Sequence, residues 1–239
     1  MKYLFYPGCS AEGMALEYKR TSEAVLAALG VELQELEDWT CCGSSVAPVI
    51  SDLLSVVLPA RNLALAERSA PDCDLLVICS ACFTALRSAN ERMAATPDLL
   101  KTVNEALAVE GLRYEGGVRV RHLLDVLAND IGPARIKEKV VRPLKGLTVA
   151  PYYGCQTVRP YGDYDDDERP DSMVGLIEAL GAEVYNHSHE ARCCGTALMT
   201  TKPEVGLGMA GRILSAASPA DCIAAVCPIG DSSGLLSRD

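Results

Sequence analysis

With 239 residues, 49% of them hydrophobic, the chain is long enough for one large domain or two small ones with a real core. Its 32 acidic residues outweigh 22 basic ones for a net charge of −10, which argues against a non-specific nucleic-acid binder and favours solubility or a basic partner surface. No apolar run approaches a membrane span, and the opening MKYLFYPGC meets a Pro and a Gly too early for a signal-peptide core, so a globular cytoplasmic protein is expected.

Along the chain, residues 3–6 form a short apolar run that leads to Pro7-Gly8-Cys9, the pattern of a strand ending in a cysteine-bearing turn. A helical stretch at 12–29 closes on Gly30 as its C-terminal cap. The next strand delivers Cys41-Cys42-Gly43, a helix is expected at 50–67, and the buried strand of DCDLLVICSAC ends on Cys79 and Cys82. Helical sequence then runs to 109, a turn region covers 111–117, and VRHLLDVLAND reads as helical.

The same order then returns. Residues 147–153 lead to Gly154-Cys155, a helix at 172–180 closes on Gly181, and GAEVYNHSHEARCCG runs position by position beside GVELQELEDWTCCG. A helix at 204–217 precedes DCIAAVCPIG, the counterpart of the earlier buried strand. This internal repeat of alternating strands and helices implies an α/β fold of two pseudo-repeated lobes, with parallel strands flanked by helices and cysteines on turns at strand ends. The lobes are expected at 1–145 and 146–239, the second shortened at its C-terminal end.

Eleven cysteines are too many for ordinary usage, and an odd number cannot all pair within one chain. Neighbouring Cα atoms sit about 3.8 Å apart while disulfides want roughly 4.4 Å or more, so Cys41-Cys42 and Cys193-Cys194 are not expected to bond to each other. The first set is Cys9, thirty-one residues, Cys41-Cys42, thirty-six residues, Cys79-x-x-Cys82; the second is Cys155, thirty-seven residues, Cys193-Cys194, thirty-two residues, Cys227. Thiolates are the usual ligands of iron-sulfur clusters, and turns at the ends of parallel strands gather residues distant in sequence at one sheet edge. Zinc also accepts thiolates, but a structural zinc takes four ligands and the first set offers five.

On these residues the chain resembles the CCG-domain proteins typified by the heterodisulfide reductase B-subunit, over nearly its whole length. In that family a full five-cysteine repeat holds a non-cubane [4Fe-4S] cluster, and a disulfide bound between two such clusters is reduced to two thiols. The resemblance implies that Cys9, Cys41, Cys42, Cys79 and Cys82 hold the first cluster and carry the chemistry, while Cys155, Cys193, Cys194 and Cys227 match four ligands of a second. The fifth is missing: where the pattern asks for Cys-x-x-Cys, this chain has Cys227-Pro228-Ile229-Gly230. Three outcomes stand for the second site: a [4Fe-4S] cluster on four thiolates, a tetrahedral zinc, or nothing. Cys73 and Cys222, at the starts of apolar strands, read as buried structural thiols.

The resemblance implies an oxidoreductase subunit acting on a small disulfide or thiol in either direction, active within a complex. Its implied partners are a ferredoxin-like iron-sulfur subunit and a flavin-containing subunit, with no nucleic acid and no transmembrane segment. The alternative is a non-catalytic electron-transfer or assembly subunit of a related succinate, fumarate, glycolate or lactate, or sulfur-oxidising complex.

The remaining features have plainer readings. Gly206, Gly208 and Gly211 match the dinucleotide fingerprint, which needs a strand running into the glycine turn; the preceding sequence starts a helix instead, so small residues packing in a helix are expected. His187 and His189 could ligate a metal or donate protons, but an alternating strand end exposing both accounts for them. His122 is assigned to a helix. The acidic run 163–168 reads as a solvated loop, and Trp39, Tyr6, Tyr152 and Tyr153 as shields packed beside the cysteines.

Overall fold

The computed structural model describes residues 1–44 and 46–217 and the backbone of residues 223–226, in two compact units divided between His122 and Leu123. In the first unit, strand β1 (Lys2–Tyr6) is followed by a 3-10 turn at Cys9–Glu12 and helix α1 (Leu16–Ala28). Strand β2 (Glu32–Glu35), a short helix α2 (Ala47–Ile50) and the long helix α3 (Asp52–Ser69) come next. Strand β3 (Leu75–Val77), helices α4 (Ser80–Ala95) and α5 (Pro97–Leu107), and strand β4 (Val120–His122) complete the unit. All pairings are parallel in the order β2-β1-β3-β4, with Tyr6 opposite Val77 and Val77 opposite His122.

Strands β3 and β4 are buried throughout and β1 beyond its first residue, as sheets covered on both faces by crossover helices require. Because β1 sits between β2 and β3, the connections on its two sides run in opposite directions, which makes the carboxyl ends of these strands a topological switch point. The cysteine turns lie at those ends. His122 departs from the helical expectation: it ends β4, wholly buried, with its Nε2 3.4 Å from Ser80 Oγ and its ring edge-on to Phe83. A short apolar strand and a buried helix turn carry the same apolar signature over so few residues, and pairing with β3 decides between them.

The second unit opens with a helical turn α6 (Leu123–Asp125) that widens into a π-helix at Val126–Ile131, followed by helix α7 (Pro133–Lys139). Strand β5 (Thr148–Tyr152), helix α8 (Cys155–Val158), helix α9 (Ser172–Ala179) and strand β6 (Glu183–Val184) then repeat the first unit's opening. Helix α10 (Pro203–Ala217) leads to strand β7 (Ile223–Val226), and the parallel order is β6-β5-β7. Gly206, Gly208 and Gly211 all lie inside α10, which removes the strand that a dinucleotide turn needs.

The repeat extends to details of backbone. Gly30 and Gly181 both adopt positive φ just past their helices, with the following amides of Val31 and Ala182 returning to Leu26 and Ile177. In the first unit β1 and β3 bury Leu4, Phe5, Leu75 and Leu76, while the second unit has a core cluster around Tyr153 and a smaller one of Tyr152, Cys194, Ala210 and Ile213.

Candidate metal centre

Each cysteine of the first set sits where a strand hands over to the next element. Cys9 opens the 3-10 turn after β1, Cys41 and Cys42 occupy the turn after β2, and Cys79 precedes α4, whose first turn carries Cys82. Cys9 and Cys41 face solvent, and Cys42, Cys79 and Cys82 are buried. The Sγ atoms of Cys9 and Cys41 lie 3.5 Å apart and those of Cys42 and Cys82 3.4 Å apart. None of the nine described cysteines forms a disulfide; Cys222, Cys227 and Gly230 lie outside the described residues.

The positioning is specific. Tyr6, fully buried at the end of β1, donates its hydroxyl to Thr40 O at 2.8 Å and meets Trp39 edge-on at 5.4 Å. Asn62, on α3 and wholly buried, accepts the Thr40 amide at 2.8 Å and donates to Thr40 O at 3.0 Å. The residue just before the cysteine pair is thereby fixed on both its backbone groups. Gly8 holds φ 78° and ψ 159°, a region essentially reserved for glycine, and a Cβ there would come within 2.9 Å of Cys82 Sγ. The Gly43 amide donates to Cys41 Sγ at 3.5 Å.

The electrostatics single out one sulfur. Hydrogen bonds from Cys41 and then Cys82 pull the Cys42 thiol down to about 4 despite its burial. Cys41 and Cys82 are pushed up because each gives its hydrogen bond to Cys42, burial adding to both. Tyr6 stays protonated, raised first by burial and then by the surrounding thiols. A thiolate with two thiol donors, sulfurs on three converging turns and a glycine leaving room at Cys82 make a soft donor set that fits an iron-sulfur cluster. Thr40 Oγ1, buried in the residue before Cys41, has no hydrogen-bond partner among the described residues. No group of three or more His, Cys, Asp or Glu side chains is disposed around a single ion among the described residues.

In the second unit, Cys155 opens α8 after Gly154, which holds φ 73° and ψ 175°, and Cys193-Cys194-Gly195 follow the β6 segment. Tyr152 donates to Arg192 O at 2.7 Å, as Tyr6 does to Thr40, and the Gly195 amide donates to Cys193 Sγ at 3.4 Å. Gly195 packs against Gly206 of α10, where a Cβ on either glycine would come within 2.8 Å of an atom, so close packing is the use of that small residue. Cys194 lies 3.0 Å from Thr196 Oγ1, and Cys155 is pushed up to about 11 by burial and then by Cys193. Among the described residues, the nearest atoms to a Cβ on Gly154 are the hydroxyl and ring of Tyr152, at 3.6 to 3.7 Å. Val226, opposite Tyr152 on β5, immediately precedes Cys227 in sequence.

Residues 3–87 and 149–229 match the CCG family, a cysteine-rich domain. The chain belongs to that family. The two matched segments are the two repeats that the strands and turns display. Among its relatives, this CCG-domain chain is 34% identical over 232 residues to the 8-methylmenaquinol:fumarate reductase membrane anchor subunit of Wolinella succinogenes, covering 95% of the chain and 80% of that protein. It is 35% identical over 210 residues to a heterodisulfide reductase B-subunit-like protein of Archaeoglobus profundus, covering 85% of the chain and 70% of that protein. It is also 27% identical over 234 residues to the B-subunit of the ferredoxin:CoB-CoM heterodisulfide reductase of Methanosarcina mazei, covering 95% of the chain and 77% of that protein. A hypothetical protein from Helicobacter pylori shares the fold at a TM-score of 0.64 and 14% identity, with 89% of the chain spanning 38% of that structure. The chain is thus a subunit of oxidoreductase type, in the class of the heterodisulfide reductase B-subunit. Among the described residues no helix is long and apolar enough to cross a membrane.

Other residues singled out in the sequence have structural roles. His187 Nε2 donates to Pro151 O at 3.0 Å and its Nδ1 accepts the His189 amide at 3.3 Å, so both ring nitrogens are used, and burial lowers the pKa of the ring. Cys73 is half-buried at the start of β3, the end opposite to Cys79. The acidic run is more than a solvated loop: Asp165 accepts the Asp171 and Ser172 amides at 2.9 and 3.1 Å and thereby caps α9. Sequence reasoning missed Asn62, whose signal is an amide on the apolar face of a helix, and Gly8 as the neighbour of Cys82.

Proposed function

We propose that this chain is the iron-sulfur subunit of a heterodisulfide-reductase-like complex, acting on a small disulfide or thiol in either direction at the first cysteine set. The observation that carries the reading is the gathering of Cys9, Cys41, Cys42, Cys79 and Cys82 at one strand-end edge, with one more thiol than a structural zinc takes. Those five residues would hold a non-cubane [4Fe-4S] cluster, which when bound supplies one-electron storage next to the substrate sulfur. The protein's part is to orient and shield. Asn62 and Tyr6 fix the turn that carries Cys41 and Cys42, the buried Tyr6 and the half-buried Trp39 limit water at the inner sulfurs, and exposed Cys9 and Cys41 mark the side open to substrate or partner. A ferredoxin-like subunit and a flavin-containing subunit would complete the electron path, in the cytoplasm.

Similarity to the Wolinella succinogenes subunit favours a second reading, an electron-transfer or assembly subunit of a related redox complex with catalysis elsewhere. One variant separates the two. Cys82→Ser, assayed in the intact complex with a chemical reductant and low-molecular-weight disulfides, should selectively abolish disulfide reduction if the first reading holds. Full turnover in that variant would favour the second.

A further inference from the structure

Beyond the thiol turns, the second unit contains a cleft of about 750 Å³ between the loop that follows α8 and the segment leading to Cys193. Its lining includes three arginines, Arg159, Arg169 and Arg192. Arg159 is half-buried and its guanidinium donates to two backbone carbonyls, Asp167 O and Ala191 O. Arg169 and Arg192 are exposed. None of the three lies in an ion pair with a carboxylate among the described residues, although Arg169 is near enough to help hold Asp166 ionised. By contrast, Arg61, Arg92, Arg113 and Arg121 each hold a carboxylate at 2.6 to 3.3 Å.

We propose that this cleft binds the carboxylate or phosphate group of a small molecule, with Arg192 and Arg169 as the recognising charges and Arg159 as both brace and donor.

Ten excess negative charges make carboxylate partners abundant, yet three guanidiniums converge on this one cavity without an ion pair among the described residues. Glu168, Asp171 and Glu190 also line the cleft, yet none reaches ion-pair distance of these arginines. Glu190 Oε1 is taken up by the His187 amide at 2.7 Å. Arg159 has five N–H donors and spends only part of that fork on the two carbonyls, leaving N–H groups for an oxoanion. In sequence, Arg159 follows α8, which begins at Cys155, and Arg192 immediately precedes Cys193. The inference does not depend on the disulfide chemistry proposed for the first unit.

The test titrates inorganic phosphate and, separately, malonate into the full chain with its metal complement, by calorimetry in low-chloride buffer. One saturable site per chain is expected. Arg192→Gln and Arg169→Gln should each weaken it about tenfold, the loss of one charge-assisted contact, while Arg113→Gln in the first unit leaves it unchanged. Binding of phosphate alone points to a phosphate ester, of malonate alone to a carboxylate ligand, and of both to a general oxoanion site. A second measurement needs no variant: the bound anion should protect Arg192 and Arg169 of the wild-type protein from phenylglyoxal, mapped by mass spectrometry. Absence of saturable binding, or affinity unchanged in both variants with no protection, would overturn the proposal.

Discussion

The strand-end turns of the two units are built alike up to the point where the sulfurs meet. Both place a glycine of forbidden geometry before the first cysteine, at Gly8 and Gly154, and both use a buried tyrosine to hold the carbonyl before the cysteine pair. They diverge at the fifth thiol and at the clamp. Gly8 looks onto Cys82, whereas Gly154 looks onto the Tyr152 ring; Thr40 is gripped on both backbone groups by Asn62, whereas Ala191 O, one residue further upstream, is held by Arg159. In the first unit hydrogen bonds from Cys41 and then Cys82 lower Cys42, and in the second burial and then Cys193 raise Cys155. Backbone architecture can therefore be kept in a repeat while the donor set it presents changes.

The largest effect that would sharpen this contrast is at the glycines. Alanine at either position enters a backbone region that costs about 1–3 kcal/mol, so Gly8→Ala and Gly154→Ala should lower stability similarly in urea unfolding. Only Gly8→Ala also drives a Cβ into Cys82 Sγ, at 2.9 Å, so only it should strip iron from the protein. Next comes the clamp: Asn62→Leu leaves the Thr40 amide without its partner and its carbonyl with Tyr6 alone, and should cost about 1–3 kcal/mol, with faster iron loss on dilution. The smallest effects belong to the tyrosines. Tyr6→Phe and Tyr152→Phe each remove one hydroxyl hydrogen bond and should cost about 0.5–1.5 kcal/mol; equal values would show that the two turns rely on it alike.

Much of this was legible in the sequence because the repeat is written in strong local signals. Gly30 and Gly181 mark helix ends through positive φ, and the Cys-Cys-Gly turns stand at matching distances from them. The failure of Gly206, Gly208 and Gly211 as a nucleotide turn was equally readable, since a helix start precedes them. What sequence could not supply depends on contacts across the fold. His122 becomes a strand residue only by pairing with Val77, Asn62 acquires its role from a turn twenty-two residues away, and Arg159, Arg169 and Arg192 come to one cleft from three separate places in the sequence. Asp165 caps α9 from inside a run of acids whose composition alone suggests solvent exposure.

The central claim, that the first cysteine set is the working centre and the second differs from it, is tested most directly by iron and acid-labile sulfide analysis with electron paramagnetic resonance, on anaerobically purified wild-type, Cys82→Ser and Cys194→Ser proteins. The account predicts that the spectrum of the first centre is lost in Cys82→Ser, with about four irons missing relative to wild type, and retained in Cys194→Ser. A spectrum that survives Cys82→Ser with the wild-type iron content, or one that disappears in Cys194→Ser, would contradict it.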